Sequence, residues 1–477
     1  MDIQINEELL EAKLEALERS HSWNARVISK LEAFVRSPDD FQLFRANPLH
    51  FGRERNIPEV EAVDLFLHAT KAGIFRMNWE LICPYCGAPI KSFSELKSLH
   101  TEYNCTTCQV RANATMDEFI QVNFTISPLI RHIPYHKPET LELRDFAFKY
   151  HYHRGAFVAP GGPMFADVAA TLAKEGAFME PGGVREFELD LTPGWIHWQE
   201  FMGDDGLRVP IGAGHTTEVQ RASLTFKENR LVASVSELSA GKLLFSVENL
   251  NPYRTAFVAF LLPPEFKSTP MAFEPYLTGK QVLNSQTFRN LFRSEVIDSA
   301  AGIQVMDLTV LFTDLKGSTA LYDRIGDLNA FALVRDHFES LGKVIVAHEG
   351  AIVKTIGDAV MATFIKPDQG LRAAIAILKE IGTLNKGQGT NDIILKIGLH
   401  KGALIAVTLN DRLDYFGQTV NIAARVQGLA EAEEIYVTEG VYRHPGVSEL
   451  LQGFNVKPEE TRLKGIERAV AVYKITT

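Results

Sequence analysis

The chain is poor in cysteine, with 4 among 477 residues, all between positions 83 and 108. A secreted protein stapled by disulfides would spread more of them along its length. Long apolar runs are missing too. The best candidate, Thr255 to Leu262, is less than half of the ~18 residues that span a bilayer. A Pro pair follows it, so it reads as a buried strand. The opening MDIQINEELLEAKLEALE is acidic and mixed, without the basic start and apolar core of a secretory signal. Positive charge is not in excess. Lys plus Arg is 49 and Asp plus Glu is 59, a balance of −10. That argues against a dedicated DNA-binding protein, which would usually show a basic footprint, and fits poorly with an anionic membrane surface. No GxxxxGK[ST] run occurs, so a P-loop NTPase is not supported. What is present is ordinary globular material, 46% hydrophobic and 23% charged. The expectation is a soluble, cytoplasmic chain of about three domains.

Four stretches precede the part that carries chemistry. Residues 1–75 read as a helical region. Leu10, Leu14 and Leu17 repeat at helical spacing behind a capping Asn6. A second helix is expected after Pro58, with Val60, Val63 and Leu67, ending near Gly73. Residues 76–115 hold Cys83-Pro-Tyr-Cys86 and Cys105-Thr-Thr-Cys108, with 18 residues between the knuckles. That spacing suits four thiolates around one structural Zn²⁺, a zinc ribbon with no open position for water. A redox dithiol is the alternative. Residues 116–265 alternate apolar and polar and read as a strand-rich, β-sandwich-like regulatory domain. His151 and His153 would share a strand face there and could join a metal site. Residues 266–303 read as a linker helix with an apolar stripe of Phe288, Leu291, Phe292 and Val296. Such a helix could join two protomers or simply pack.

Residues 304–477 carry the candidate site. Leu308 to Thr313 reads as a central strand that stops at Asp314. Leu315-Lys-Gly317-Ser318-Thr319 follows, with Gly317 turning the chain and Ser318 or Thr319 capping a helix. Free backbone N–H groups would then face an anion beside a carboxylate. Ile352 to Phe364 reads as two strands joined at Gly357-Asp358. An Asp at a strand end and another at a hairpin tip can share hard divalent cations with phosphate oxygens. Asp414 to Val426 reads as a turn entering a helix that shows Asn421 and Arg425 on one face.

The stretches FTDLKGST, KTIGDA and DYFGQTVNIAAR resemble the three signature segments of the class III nucleotidyl cyclase catalytic domain, in the family's order and at its distances. The preceding region is similar to the N-terminal part of a soluble bacterial cyclase subgroup, whose role is undefined. The resemblance implies an α+β protein whose ferredoxin-like βαββαβ domain forms homodimers with two shared active sites. It assigns Asp314 and Asp358 to two Mg²⁺ or Mn²⁺ ions, Lys354 and Asp414 to the purine, Asn421 to the ribose and Arg425 to the phosphates. Leu315, Gly317, Ser318 and Thr319 become substrate-binding positions, and Lys464 meets the terminal phosphates. The metal pair of one protomer would face the other residues of its partner.

The implied reaction turns ATP into 3′,5′-cyclic AMP and pyrophosphate. Adenine N1 accepts a hydrogen bond and N6 donates one, matching a Lys donor and an Asp acceptor; guanine reverses both. The stretch 398–407 lacks a glycine that many relatives place near 407, and the connection from Thr408 to Leu413 is short. Guanylate cyclase is the nearest alternative. A diguanylate cyclase would carry GGDEF, where this chain has Ile356-Gly-Asp358-Ala. A silent nucleotide-sensing scaffold would have lost a metal Asp or the Arg, and neither is lost.

Overall fold

The computed structural model describes residues 4–476 except 84, 86–88, 100–101, 107–109, 118, 153, 204, 269–270, 298–301 and 391. Helix α1 (Glu7–Ser20) starts where the Asn6 side chain accepts the Leu9 N–H at 3.1 Å, and it buries Leu10, Leu14 and Leu17. Helices α2 (Val27–Val35), α3 (Pro48–Arg55) and α4 (Glu59–Ala72) follow. In α4 the buried face is Ala62, Leu65, Phe66, Leu67 and Ala69, while Val60 is exposed. The helix is turned so that Phe66 meets Phe51, Phe75 and Phe124 at 5.0–5.2 Å, and that aromatic contact outweighs burial of Val60.

The helices pack on a sheet of β1 (Phe75–Ile82), β2 (Pro89–Phe93) and a later strand, with β1 central. A separate hairpin joins β3 (Glu102–Cys105) to β4 (Val110–Asn113), and β5 (Ile120–Ile126) completes the sheet. Cys83 just after β1 and Cys105 at the end of β3 are both buried; Cys86 and Cys108 lie outside the described residues. The histidine expectation is corrected. His151 does not sit on a strand but follows a wide helical turn, Phe146–Tyr150. In that turn Phe146 and Tyr150, four apart, stack with ring centroids 5.8 Å apart, and the His151 ring packs on Phe146 and Phe201. Burial pushes His151 down to about 3. His153 lies outside the described residues.

Eight strands between Ala173 and Leu262 form one bent sheet. Its long strand, Leu238–Asn249, pairs with Asp205–His215 through Leu238 to Ala240 and with Gln220–Lys227 beyond Gly241. The two halves close over Trp198, Phe226, Phe245 and Phe257. Thr255–Leu262 is a buried strand of this sheet. The expected single linker helix is instead two short ones, α5 (Gly279–Leu283) and α6 (Gln286–Leu291). Ser285 breaks the run because its side chain caps the second helix, accepting the Phe288 N–H at 3.2 Å. Val296 lies past the helical part. Phe288 is fully buried and packs against Trp79 of this same chain.

The C-terminal part runs β6 (Ile303–Leu315), α7 (Ser318–Ile325), α8 (Asp327–Ala347), β7 (Ala351–Ile356), β8 (Ala359–Phe364), α9 (Pro367–Gln388) and β9 (Leu395–Leu409). The sheet order β7-β8-β6-β9 is that of a ferredoxin-like βαββαβ unit. It is extended by β10 (Arg412–Phe416), α10 (Gln418–Gln427), β11 (Glu434–Thr438), β12 (Asn455–Thr461) and β13 (Val470–Thr476). The connection from β9 to β10 is a two-residue turn, Asn410-Asp411, with φ of 51° and 57°. These residue types tolerate that left-handed pair, which explains why no longer loop is needed. Among the described residues no helix is long and apolar enough to cross a membrane.

Candidate active site

The buried run of β6 ends at Asp314, which is only partly exposed. Thr313 pairs with Val360 of β8, so Asp314 stands next to the β7–β8 turn that carries Asp358. Both carboxylates therefore lie at one end of the sheet. Asp314 Oδ2 is 3.4 Å from Lys396 Nζ, its cross-strand neighbour on β9. Asp358 Oδ2 is buried and has no hydrogen-bond partner among the described residues. His337 of α8 is buried nearby. Burial pushes it down to about 4, and the Asp358 charge pulls the other way, so the ring is neutral at pH 7. Two carboxylates with unused oxygens suit hard cations completed by phosphate oxygens.

The turn after Asp314 differs from expectation. Gly317 itself, at φ +73°, is the N-cap of α7, and no side chain caps the helix. Ser318 is already its first residue. A left-handed cap favours glycine, which leaves the Ser318 and Thr319 hydroxyls uninvolved in capping.

Lys354 and Asp414 come together. Lys354 Nζ lies 2.5 Å from Asp414 Oδ2, and the Tyr415 N–H donates to Asp414 Oδ1 at 2.7 Å. The β7–β8 register shifts between Ile352 and Lys354, a bulge that re-aims Lys354. Helix α6 holds both arms of the pair. Gln286 Oε1 accepts the Ile352 N–H at 2.8 Å, and Arg289 Nη1 donates to the Leu413 carbonyl at 3.0 Å. The Arg289 guanidinium also lies 5.2 Å from the centre of the Tyr415 ring. Gln286, Arg289, Lys396 and His337 carry no motif, so sequence reading missed them. The only local hint for Gln286 and Arg289 is their three-residue spacing, which puts both on one face of the helix, off the apolar stripe.

Helix α10 presents the remaining groups. It packs so closely on β9 that a Cβ at Gly398 would stand 2.2 Å from the Gln427 nitrogen. Only glycine fits there without moving backbone. Asn421 is exposed, while Arg425 Nη1 is buried without a hydrogen-bond partner among the described residues. A buried, unsatisfied guanidinium N–H is costly and marks a place for an anion. The turn holding exposed Lys464 adjoins it, since a Cβ on Gly465 would lie 3.1 Å from Arg425 Nη1. Among the described residues no hydrogen bond or ion pair links Asp314 or Asp358 to Lys354, Asp414, Asn421 or Arg425.

The model of the adenylate and guanylate cyclase catalytic domain matches residues 303–477, and a family of unknown function, DUF5939, matches residues 8–290. The chain belongs to the DUF5939 family and ends in a class III adenylate/guanylate cyclase catalytic domain. The chain is similar to an adenylate cyclase of Anabaena cylindrica, 27% identical over 228 residues, 44% of this chain and 44% of that protein. Guanylate cyclase 32E of Drosophila melanogaster is 28% identical over 148 residues, 28% of this chain and 13% of that protein. The chain thus spans less than half the length of these curated relatives. Among solved structures, the adenylyl cyclase CyaB from P. aeruginosa matches with 23% identity and a TM-score of 0.33, over 37% of this chain and 96% of that one. The cyclase domain begins with β6, so Gln286 and Arg289 of α6, which grip its Lys354 and Asp414 arms, lie in the other family's span.

Proposed function

We propose that this chain is a homodimeric adenylate cyclase whose N-terminal part regulates conversion of ATP to 3′,5′-cyclic AMP and pyrophosphate. The observation that carries the base assignment is the Lys354–Asp414 pair, a donor and an acceptor side by side and partly buried. Lys354 would donate to adenine N1 and Asp414 accept from N6. Asn421 orients the ribose. Arg425, with its unsatisfied Nη1, offsets charge on the α-phosphoryl oxygens as the ribose 3′-oxygen bonds to phosphorus and pyrophosphate leaves. Lys464 and the N–H groups of Leu315 to Thr319 face the outer phosphates. Asp314 and Asp358 would hold two Mg²⁺ or Mn²⁺ ions, which when bound supply Lewis acidity at the 3′-hydroxyl and the triphosphate.

Two features support a site shared between protomers. Among the described residues no hydrogen bond or ion pair joins the carboxylate pair to Lys354, Asp414, Asn421 or Arg425. Apolar side chains stay exposed around both, with Ile356 beside the metal turn at 51% and Phe416 after Asp414 at 64%. A protomer interface would cover both side chains. The zinc reading rests on the spacing of the four cysteines, of which Cys83 and Cys105 are buried. Elemental analysis should find one Zn per chain, and Cys83→Ser should lose it; an intact fold without zinc would remove that reading.

The function test is incubation of purified protein with ATP or GTP and Mn²⁺ or Mg²⁺. Cyclic AMP should form in excess over cyclic GMP. No cyclic nucleotide under any condition, with the dimer intact, would sink the proposal.

A further inference from the structure

Between α6, the residues just after it, β7 and the start of β10 lies a cavity of about 290 Å³. It straddles the boundary of the two matched spans. Arg289 and Asn290 come from the first, Arg293 and Glu295 from the stretch between them, and Thr355 and Arg412 from the cyclase domain. Neither Arg293 nor Arg412 is among the groups assigned to ATP.

Its charges are unbalanced. Arg289, Arg293, Lys354 and Arg412 line it against a single acid, Glu295. Lys354 is already paired with Asp414. Arg289 is half-buried and donates to two carbonyls, Leu283 at 2.9 Å and Leu413 at 3.0 Å, with no carboxylate against it among the described residues. Arg293 and Arg412 are exposed, and among the described residues neither side chain has a hydrogen bond or an ion pair. Glu295 Oε2 accepts the Leu96 N–H at 3.0 Å. Three guanidinium groups against one carboxylate leave two positive charges at the cavity. The neutral groups add donors. Gln286 uses Oε1 on the Ile352 N–H and Nε2 on Asn290 Oδ1 at 3.0 Å, while Asn290 Nδ2 and the Thr355 hydroxyl have no partner among the described residues. Of the carboxylate and amide oxygens lining the cavity, only Glu295 Oε1 accepts nothing among the described residues.

That surplus fits an anion of particular build. A guanidinium fork holds phosphate or carboxylate oxygens in pairs. A phosphate monoester carries about two negative charges at pH 7 and three acceptor oxygens, which matches the uncompensated charge and the number of free guanidinium groups. A single carboxylate supplies half that charge. Phe292, Ile352 and Val353, each half-buried, add an apolar wall, so the phosphate should carry an apolar body.

The cavity also lies where α6 holds the base-reading strands, with Gln286 on the Ile352 N–H and Arg289 on the Leu413 carbonyl. Arg293 follows α6, and Arg412 opens the strand that carries Asp414. Their like charges oppose a tighter junction until an anion lies between them.

We infer that this cavity binds a phosphate monoester with a small apolar body, and that the bound dianion clamps α6 to the strands of Lys354 and Asp414. The link to base reading rests on the proposed cyclase site; the binding itself does not. Titration calorimetry on the full chain, with a chelator present, uses 1-naphthyl phosphate as probe and inorganic phosphate and 1-naphthol as its two halves. The probe should bind saturably at one per chain, about tenfold tighter than inorganic phosphate, and naphthol should not bind. Arg293→Gln and Arg412→Gln, both at exposed positions where the fold does not depend on them, should each weaken the probe about tenfold. Arg425→Ala should leave its affinity unchanged. No saturable binding, equal binding of naphthol, or unchanged affinity in either glutamine variant overturns the site. Affinity lost in Arg425→Ala would place the probe with the nucleotide phosphates and overturn it as well. Hydrogen exchange of residues 351–356 and 412–416 should slow in the bound state. Unchanged exchange there, with the probe bound, overturns the clamp. None of these readouts uses turnover, so their failure is separable from failure of the cyclase assignment.

Discussion

Asp314→Ala and Arg425→Ala proteins, each inactive alone, should regain activity when mixed. In the proposed mechanism Asp314 would hold ions that stabilise several kcal/mol of transition-state charge, so loss of its carboxylate should lower turnover by about 10³-fold. Loss of Arg425 leaves the charge on the transferred phosphoryl group uncompensated and should lower kcat by about 10²–10³-fold with less change in KM. In a statistical mixture half the dimers are mixed, and each has one site with both residues intact. The rate should then recover to about a quarter of the unmutated protein's. Failure to recover, with subunit exchange shown by differently tagged chains, would refute the shared site. It would leave the metal and arginine roles to be judged by the single variants.

Base choice should invert when the Lys354–Asp414 pair is inverted. Lys354→Glu supplies an acceptor for the N1–H and N2–H donors of guanine, and Asp414→Ser supplies a hydroxyl that can donate to O6. For the double variant kcat/KM with ATP should drop by about 10²-fold or more, because buried polar groups then meet the wrong edge. GTP should become the better substrate. Arg289→Met keeps both base-reading residues but releases the Leu413 carbonyl and leaves the Tyr415 ring without its cation. As a positioning residue, Arg289 should affect KM for ATP by about five- to tenfold and narrow the ATP-to-GTP ratio, with a smaller change in kcat. Arg289→Lys should recover part of that. An unchanged ratio in Arg289→Met, alongside a changed ratio in the double variant, would show that α6 does not set the pair.

Much of the catalytic end was legible because its signals are local. A buried strand stopping at Asp314, a tight turn at Gly357-Asp358, and a four-residue spacing on α10 each depend on neighbours within a dozen positions. The bulge that aims Lys354 was not legible. It arises from pairing with β8 and leaves no mark in an alternating run. The linker stripe promised one helix, yet Ser285 favoured a new cap over continuity. His151 and His153 were placed on a strand by their spacing of two. The aromatic residues before them instead wound into a helical turn around Phe146.

The scarcity of cysteine, the missing apolar runs and the acidic balance were decided by the residues alone. So were the three motif stretches and their order, since composition and short-range spacing need no fold to be read. Only the tertiary structure decided that Lys354 meets Asp414 across 60 positions, that Lys396 stands by Asp314, and that Arg289 holds the strand before Asp414. It also decided that Gln121 is buried with its side-chain oxygen unpaired among the described residues. Partnership and burial are properties of three-dimensional packing, in which distant segments compete for the same buried groups, and no local pattern records which of them wins.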